Sequence, residues 1–241
     1  MRYLIVNADD FGLSAETNRG IAIAHERGIV TSASVMVREA AARDAFAYAR
    51  EHGALDLGLH VDLGEWRYRD GEWLPLYHVV DVADERAVSA EVRRQLESFL
   101  AMRGAPPTHI DTHQHVHQRS PAKEVLAATA DALRIPLRHA APGIRYCGDF
   151  YGQSAEGWPV QEAITTDALV SIVRNLGPGV TELACHPGFD ETLDTTYRAE
   201  RAQEVRALCD PRVKEALAAS RVVLTGFSRL PYGAPGPASC A

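Results

Sequence analysis

Short apolar, β-branched runs alternate along this chain with longer stretches in which apolar residues recur every third or fourth position. A buried strand needs only roughly four to eight apolar residues, whereas an amphipathic helix shows the longer period, so the alternation predicts βαβ units around a parallel sheet. Seven runs predict strands: Tyr3 to Ala8, Thr31 to Val37, Leu55 to His60, Thr108 to His113, Ile135 to Ala140, Val180 to Cys185 and Arg221 to Thr225. Helices are predicted between them. Ser14 is placed to cap the first, which stops at Gly28, and Ser120 followed by Pro121 starts another with proline at its first position. Between Asp84 and Gly104, Val88, Val92, Leu96 and Leu100 recur every fourth residue beside Phe99, a stripe that would press one helix face onto the sheet.

Two connections exceed what a turn requires, Gly64 to Asp84 after the third strand and Pro142 to Gln161 after the fifth, and irregular loops of that length are uncommon unless functional. They hold Trp66, Trp73 and Trp158, all three tryptophans of the chain. The tail from Pro231 to Ala241 is rich in Pro, Gly, Ala and Ser and is expected to be disordered. With no repeat or linker before it, residues 1–230 are expected to form one domain. The 241 residues, 46% of them hydrophobic, suffice for one substantial core.

A formal net charge of -7, with no stretch that concentrates Lys and Arg, disfavours a dedicated nucleic-acid surface. A neutral or cationic small substrate is easier to accommodate, and the oligomeric state stays open, a homodimer included. No run is long enough to span a bilayer, and the apolar start from Met1 to Val6 meets Asn7, Asp9 and Asp10 too soon for a secretory segment. Cys147, Cys185, Cys209 and Cys240 form no CxxC pair, so neither a disulfide framework nor a thiolate zinc site is expected, and a cytoplasmic setting is the default.

Polar residues collect where the predicted strands end. Asp9 and Asp10 follow the first, His60 closes the third, His113 closes the fourth and His186 follows the sixth. Active sites of parallel α/β barrels are built at that carboxyl rim, so four such ends point to one shared pocket. Neighbouring residues on a regular strand face opposite ways, which would put one acid at the strand tip and the other in the turn. Ser14 already supplies a helix cap, so at least one acid is free for chemistry. In Thr108 to His117, period two would place His109, Asp111, His113, His115 and His117 on one side, too many polar groups for an apolar core. A carboxylate can orient an imidazole ligand through its second nitrogen, which suits His113 with Asp111 behind it. Spacing alone leaves His113, His115 and His117 as competing ligands. Two histidines and one carboxylate with open positions make the ligand count of a catalytic metal site.

The chain resembles the YdjC/ChbG-type carbohydrate deacetylases. The resemblance rests on Leu4-Ile5-Val6-Asn7-Ala8-Asp9-Asp10-Phe11-Gly12-Leu13-Ser14, Gly28-Ile29-Val30-Thr31-Ser32, Gly58-Leu59-His60, Pro107 to His117 and Cys185-His186-Pro187-Gly188, which follow in family order. It implies a single-domain irregular (β/α) barrel with about seven parallel strands, similar to the NodB-like deacetylases. It also implies one divalent metal ion per chain, Mg2+ or Zn2+, on Asp10, His60 and His113, with Asp9 as catalytic base and His186 as general acid. Thr112 stands where the family often has Ser. The implied reaction removes an acetyl group from an N-acetylated amino sugar or chitooligosaccharide-like substrate. Asp111, His115 and His117 would then lie behind the metal or against the sugar. Trp66, Tyr68, Trp73 and Trp158 could offer flat faces to sugar C–H groups, or plug the barrel mouth, or pack a dimer interface. Two rivals remain: a binuclear metallohydrolase of a phosphoester or cyclic amide, with two ions shared by His113, His115 and His117, and a catalytically silent sugar-binding protein.

Overall fold

The computed structural model describes residues 1–189 and 193–230. Its elements run β1 (Arg2–Phe11), α1 (Ala15–Glu26), β2 (Ser32–Val35), α2 (Ala42–Glu51), β3 (Asp56–Val61), β4 (Gly64–Arg69), β5 (Glu72–His78), α3 (Glu85–Arg103), β6 (Ile110–Thr112), α4 (Ala122–Leu133), β7 (Ile144–Cys147), α5 (Thr166–Asn175), β8 (Gly179–Cys185), α6 (Arg201–Cys209), α7 (Pro211–Ala219) and β9 (Val222–Leu224). The main sheet has the order β6-β3-β2-β1-β8-β7, with β9 also on β1, and its pairs are parallel, as the alternation predicted. It curls into a half-barrel.

β1 organises the sheet. β8 follows one of its edges from Arg2 opposite Gly179 to Ala8 opposite Cys185, while β9 pairs with Arg2 to Leu4 and β2 takes over from Asn7. Every residue from Leu4 to Phe11 is buried, which suits a central parallel strand covered on both faces. Asn7, Asp9 and Asp10 are therefore buried too and must find polar partners.

Helix punctuation largely follows expectation. Ser14 Oγ accepts the Thr17 N–H at 3.0 Å at the start of α1. Pro121 occupies the cap position of α4 rather than its first turn. In α3, capped by Asp84 and stopped by Gly104 in the left-handed region, Val88, Val92 and Phe99 are buried whereas Leu100 is 37% exposed. Steps of four overshoot the helical repeat by about 40° each, so Leu100 stands about 120° round from Val88 while Phe99 returns to within about 20°.

Three expectations need correction. Ile135 to Ala140 is not a strand: Leu137 makes only an isolated bridge to Ile110, because Pro136 has no N–H to donate and His139 leaves the extended region at φ 64. The strand in that part of the sheet is β7, inside the connection expected to be irregular. The other long connection is the antiparallel hairpin β4–β5, closed by Asp70 and Gly71 at φ 52 and 90. Finally, the histidine-rich strand shortens to β6, because Gln114 and His115 take left-handed φ of 50 and 53 and a 3-10 segment spans His113–Gln118. Period two thus stops before His115.

His109 departs from the histidine cluster as well. It is buried and stacks on Phe227 with ring centroids 3.9 Å apart. A Cβ at Gly58 would collide with its ring. Gly58→Ala is expected to lower stability by about 1–3 kcal/mol in chemical denaturation, the usual cost of overpacking; unchanged stability would contradict this packing. Cys147, Cys185 and Cys209 are free, and no helix among the described residues is long and apolar enough to cross a membrane. Cys240 and the tail from Pro231 to Ala241 lie outside the described residues.

Candidate active site

The two acids of β1 both reach one cavity of about 680 Å³. On a regular strand they would face opposite ways, but β1 bulges against β2 between Ala8 and Phe11, and Asp10 sits at φ 65. The bulge turns consecutive carboxylates to the same side. The expected split between strand tip and turn is therefore wrong, since β1 continues through Phe11.

Asp10 is the meeting point of two imidazoles: its Oδ1 lies 3.2 Å from His60 Nε2 and 3.1 Å from His113 Nδ1. Behind His60, Nδ1 is 2.8 Å from Asp111 Oδ1, because β3 and β6 pair in a register that sets His60 beside Asp111. Asp111 thus supports His60 rather than His113. His113 is backed instead by Glu65 at the start of β4, with Nε2 3.5 Å from Oε2, and Glu65 is anchored in turn by Thr195 Oγ1 at 2.8 Å. Burial works against a charged His60, yet Asp111 and Asp10 outweigh it and push it up to about 9. For His113 the same opposition, burial against Asp10 and Glu65, ends well above the usual imidazole range. Burial would raise Asp10, but Arg201, 2.6 Å from its Oδ2, and His113 hold it well below the ordinary carboxylate range. Asp10, His60 and His113 present ligand atoms within 4.8 Å of one another. A buried carboxylate and two imidazoles, each imidazole carrying a carboxylate behind it, form a donor set that fits a divalent cation.

Asp9 belongs to a different network. Arg138 grips it with Nη1 2.6 Å from Oδ2 and Nη2 2.7 Å from Oδ1, and also meets Asp111 Oδ2 at 2.8 Å and Glu182 Oε1 at 2.6 Å. Burial would raise Asp9, but the guanidinium prevails and keeps it ionised. Glu182 goes the other way, pushed up by burial to about 7 despite Arg138. Asp9, His60 and Asp111 also cluster, but Arg138 already compensates both carboxylates.

His186 stands across from this pair, with Nε2 3.7 Å from Asp9 Oδ2. Its backbone N–H donates to Glu204, and its ring packs against Tyr151 and Tyr197, which are stacked on each other at 4.7 Å. Nδ1 has no hydrogen-bond partner among the described residues, and burial pushes the imidazole down to about 4.

The remaining candidates divide. Trp66 and Trp73, carried on the hairpin, line the cavity, whereas Trp158 is 69% exposed and does not. His115 and His117 do not join His113 around Asp10; they gather with His139, so the arrangement of two ions shared by His113, His115 and His117 is not formed. Arg138, Arg201, Glu65, Tyr151 and Tyr197 went unread in the sequence. Only Arg138 left a signal there, a cation inside an apolar run.

The family model described as "YdjC-like protein" matches residues 3–219. The chain belongs to the YdjC-like family. Its relatives include a carbohydrate deacetylase of Geobacillus stearothermophilus, 32% identical with 94% of this chain and 97% of that one covered. A chitooligosaccharide deacetylase of Serratia marcescens is also 32% identical, with 95% and 99% covered. Among solved structures, a candidate cellobiose-phosphate cleavage protein of Enterococcus faecalis superposes at TM-score 0.76 with 26% identity, covering 94% of the YdjC-like chain and 98% of its own. A family 4 carbohydrate esterase of Streptomyces lividans, covering 98% of both chains, shares the fold at TM-score 0.56 with 14% identity.

Proposed function

We propose that this YdjC-like protein is a carbohydrate deacetylase that hydrolyses the acetamide of an N-acetylated amino sugar or short chitooligosaccharide. One observation carries the reading: Asp10, His60 and His113 converge in the same cavity that brings Asp9 opposite His186. The names of the relatives agree with it. Asp10, His60 and His113 would hold one divalent ion; the two imidazoles suit Zn2+, while Mg2+ would complete its shell with waters. Such an ion supplies Lewis acidity towards the acetyl carbonyl and makes water easier to deprotonate.

Asp9 has the role of general base. Kept ionised by Arg138 and fixed in orientation by both guanidinium contacts, it takes a proton from water as the water oxygen bonds to the acetyl carbon. His186, pushed down to about 4, stands neutral at pH 7 and acts as an acid only after receiving a proton, for which Asp9 lies 3.7 Å away. As the C–N bond breaks, His186 passes that proton to the departing nitrogen. The acetyl group leaves as acetic acid, which gives its remaining proton to solvent or to the free sugar amine and becomes acetate, and both residues return to their starting states. The catalytically silent reading is not favoured, because Asp9, His186 and the Asp10, His60 and His113 group stand together in one cavity.

Metal-loaded protein incubated with a panel of N-acetylglucosamine-containing mono- and disaccharides is expected to release acetate. No release from any of them, with release from some other N-acetyl compound, would overturn the substrate and leave the chemistry. Trp66 and Trp73 supply the aromatic wall, so Trp66→Ala and Trp73→Ala are each expected to raise KM several-fold with kcat little changed, on the scale of about 0.5–1.5 kcal/mol for an aromatic contact. An unchanged KM in both would remove the hairpin from substrate binding.

A further inference from the structure

The histidines that leave the Asp10 centre form a group of their own. His115 and His117 come from the 3-10 segment after β6, and His139 from the turn after the Leu137 bridge. Each presents a ring nitrogen within 4.8 Å of the other two. His115 Nδ1 and His139 Nε2 are 3.4 Å apart. Tetrahedral coordination with Zn–N bonds of about 2.0–2.1 Å places two donor nitrogens roughly 3.3–3.4 Å apart, so this pair already has the spacing of two ligands on one ion.

His117 supplies the independent observation. It is only 3% exposed, and its Nδ1 is engaged by Thr112 Oγ1 at 2.6 Å, which fixes the ring. Its other nitrogen, Nε2, is buried with no hydrogen-bond partner among the described residues. Buried polar atoms are seldom left unpaired, and each that is requires an explanation. A cation held with His115 and His139 provides one. Thr112 then serves as the oxygen that orients the far side of a ligating imidazole, an arrangement usual for metal-bound histidine. Tyr146 Oη, 3.2 Å from His115 Nε2, does the same for the second ring. His115 and His139 are moreover held at φ 53 and 64, backbone conformations that non-glycine residues adopt where the surroundings impose them, often at functional sites.

We propose that His115, His117 and His139 form a second metal site, distinct from the Asp10 centre and selective for an imidazole-preferring first-row divalent ion such as zinc over magnesium. The donor set contains no carboxylate, which excludes the hard oxygen-seeking cations and favours zinc, nickel or cobalt. Three protein ligands leave a fourth position for water or a substrate atom. His115 and Tyr146 line the main cavity, so the ion would stand at the wall of the site where the sugar is read to bind.

The site does not depend on the deacetylase reading, and zinc content separates the two. Tag-free protein is dialysed to equilibrium against zinc chloride and the bound metal counted by mass spectrometry in the unaltered chain, His139→Ala, Asp10→Asn and the double variant. His139 is exposed, so its removal is not expected to disturb folding. His139→Ala should bind one zinc ion fewer than the unaltered chain, Asp10→Asn also one fewer, and the double variant none. With cobalt chloride, Asp10→Asn should retain visible absorption of a tetrahedral nitrogen-ligated ion, and the double variant should lose it. Equal zinc content in the unaltered chain and His139→Ala overturns the proposal, whatever Asp10→Asn does. Equal content in the unaltered chain and Asp10→Asn would instead count against Asp10 as a ligand. Magnesium, tested the same way, should show no loss in His139→Ala; a loss would contradict the selectivity.

Discussion

Asp9→Asn is expected to lose turnover by roughly 10²–10⁴-fold, the usual contribution of a positioned general base, while binding its metal as well as the unaltered chain. The substitution keeps the size and shape of the side chain, removes its charge and its capacity to take a proton, and leaves one oxygen in place of two to accept from Arg138. Asp9 is neither Asp10 nor one of the two imidazoles that meet at Asp10 Oδ1, so the proposed ligand set is untouched. Arg138 retains Asp111 and Glu182 as partners, which keeps the buried network from collapsing. Steady-state kinetics on the metal-loaded variant, with metal content measured on the same sample, decide the matter. Full activity with full metal would remove Asp9 from the reaction, and lost metal would place it among the ligands.

Arg138→Met should produce the largest loss of stability. The guanidinium is fully buried and lies within 2.8 Å of Asp9, Asp111 and Glu182, so an apolar replacement of similar length strands three acids in the interior. Breaking a buried pair by removing one partner costs about 3–5 kcal/mol, and three dependants put this site at the upper end. For a chain of this size that upper end corresponds to a fall in Tm of roughly 10–20 °C, measurable by circular dichroism. Adding Glu182→Gln should recover little of the loss, because Glu182, pushed up to about 7 by burial even beside Arg138, takes up its own proton once the guanidinium is gone. A Tm within about 2 °C of the unaltered chain would mean that the carboxylates are compensated by something other than Arg138.

Much of the framework was legible because apolar periodicity reports burial directly. β1, β2, β3 and β8 each fall on a run expected to be a strand, and the carboxyl rim correctly located the cavity. Failures came where one residue overrode the period. Pro136 removed a donor, and Gln114 and His115 left the extended region, so two expected strands shrank to a bridge and a three-residue strand. Asp70-Gly71 between Tyr68 and Trp73 carried a legible hairpin signal, hidden by reading the whole stretch as one long loop. The cavity's charge balance was not legible at all. Arg138, Arg201 and Glu65 reach it from the Leu137 bridge, from α6 and from β4, and nothing in local spacing relates an arginine to an acid more than a hundred residues away. The family resemblance separated Asp9 from Asp10 and selected His113, whereas spacing alone could not have anticipated the bulge that brings both acids to one side.

Metal-dependent deacetylation is tested most directly by measuring acetate and free amine together, released from an N-acetylglucosamine disaccharide, before and after the metal is stripped with a chelator. Equal amounts of the two products, loss of both on stripping, and recovery when Zn2+ or Mg2+ is returned are the expected result. Undiminished release of both products from verified metal-free protein would contradict it.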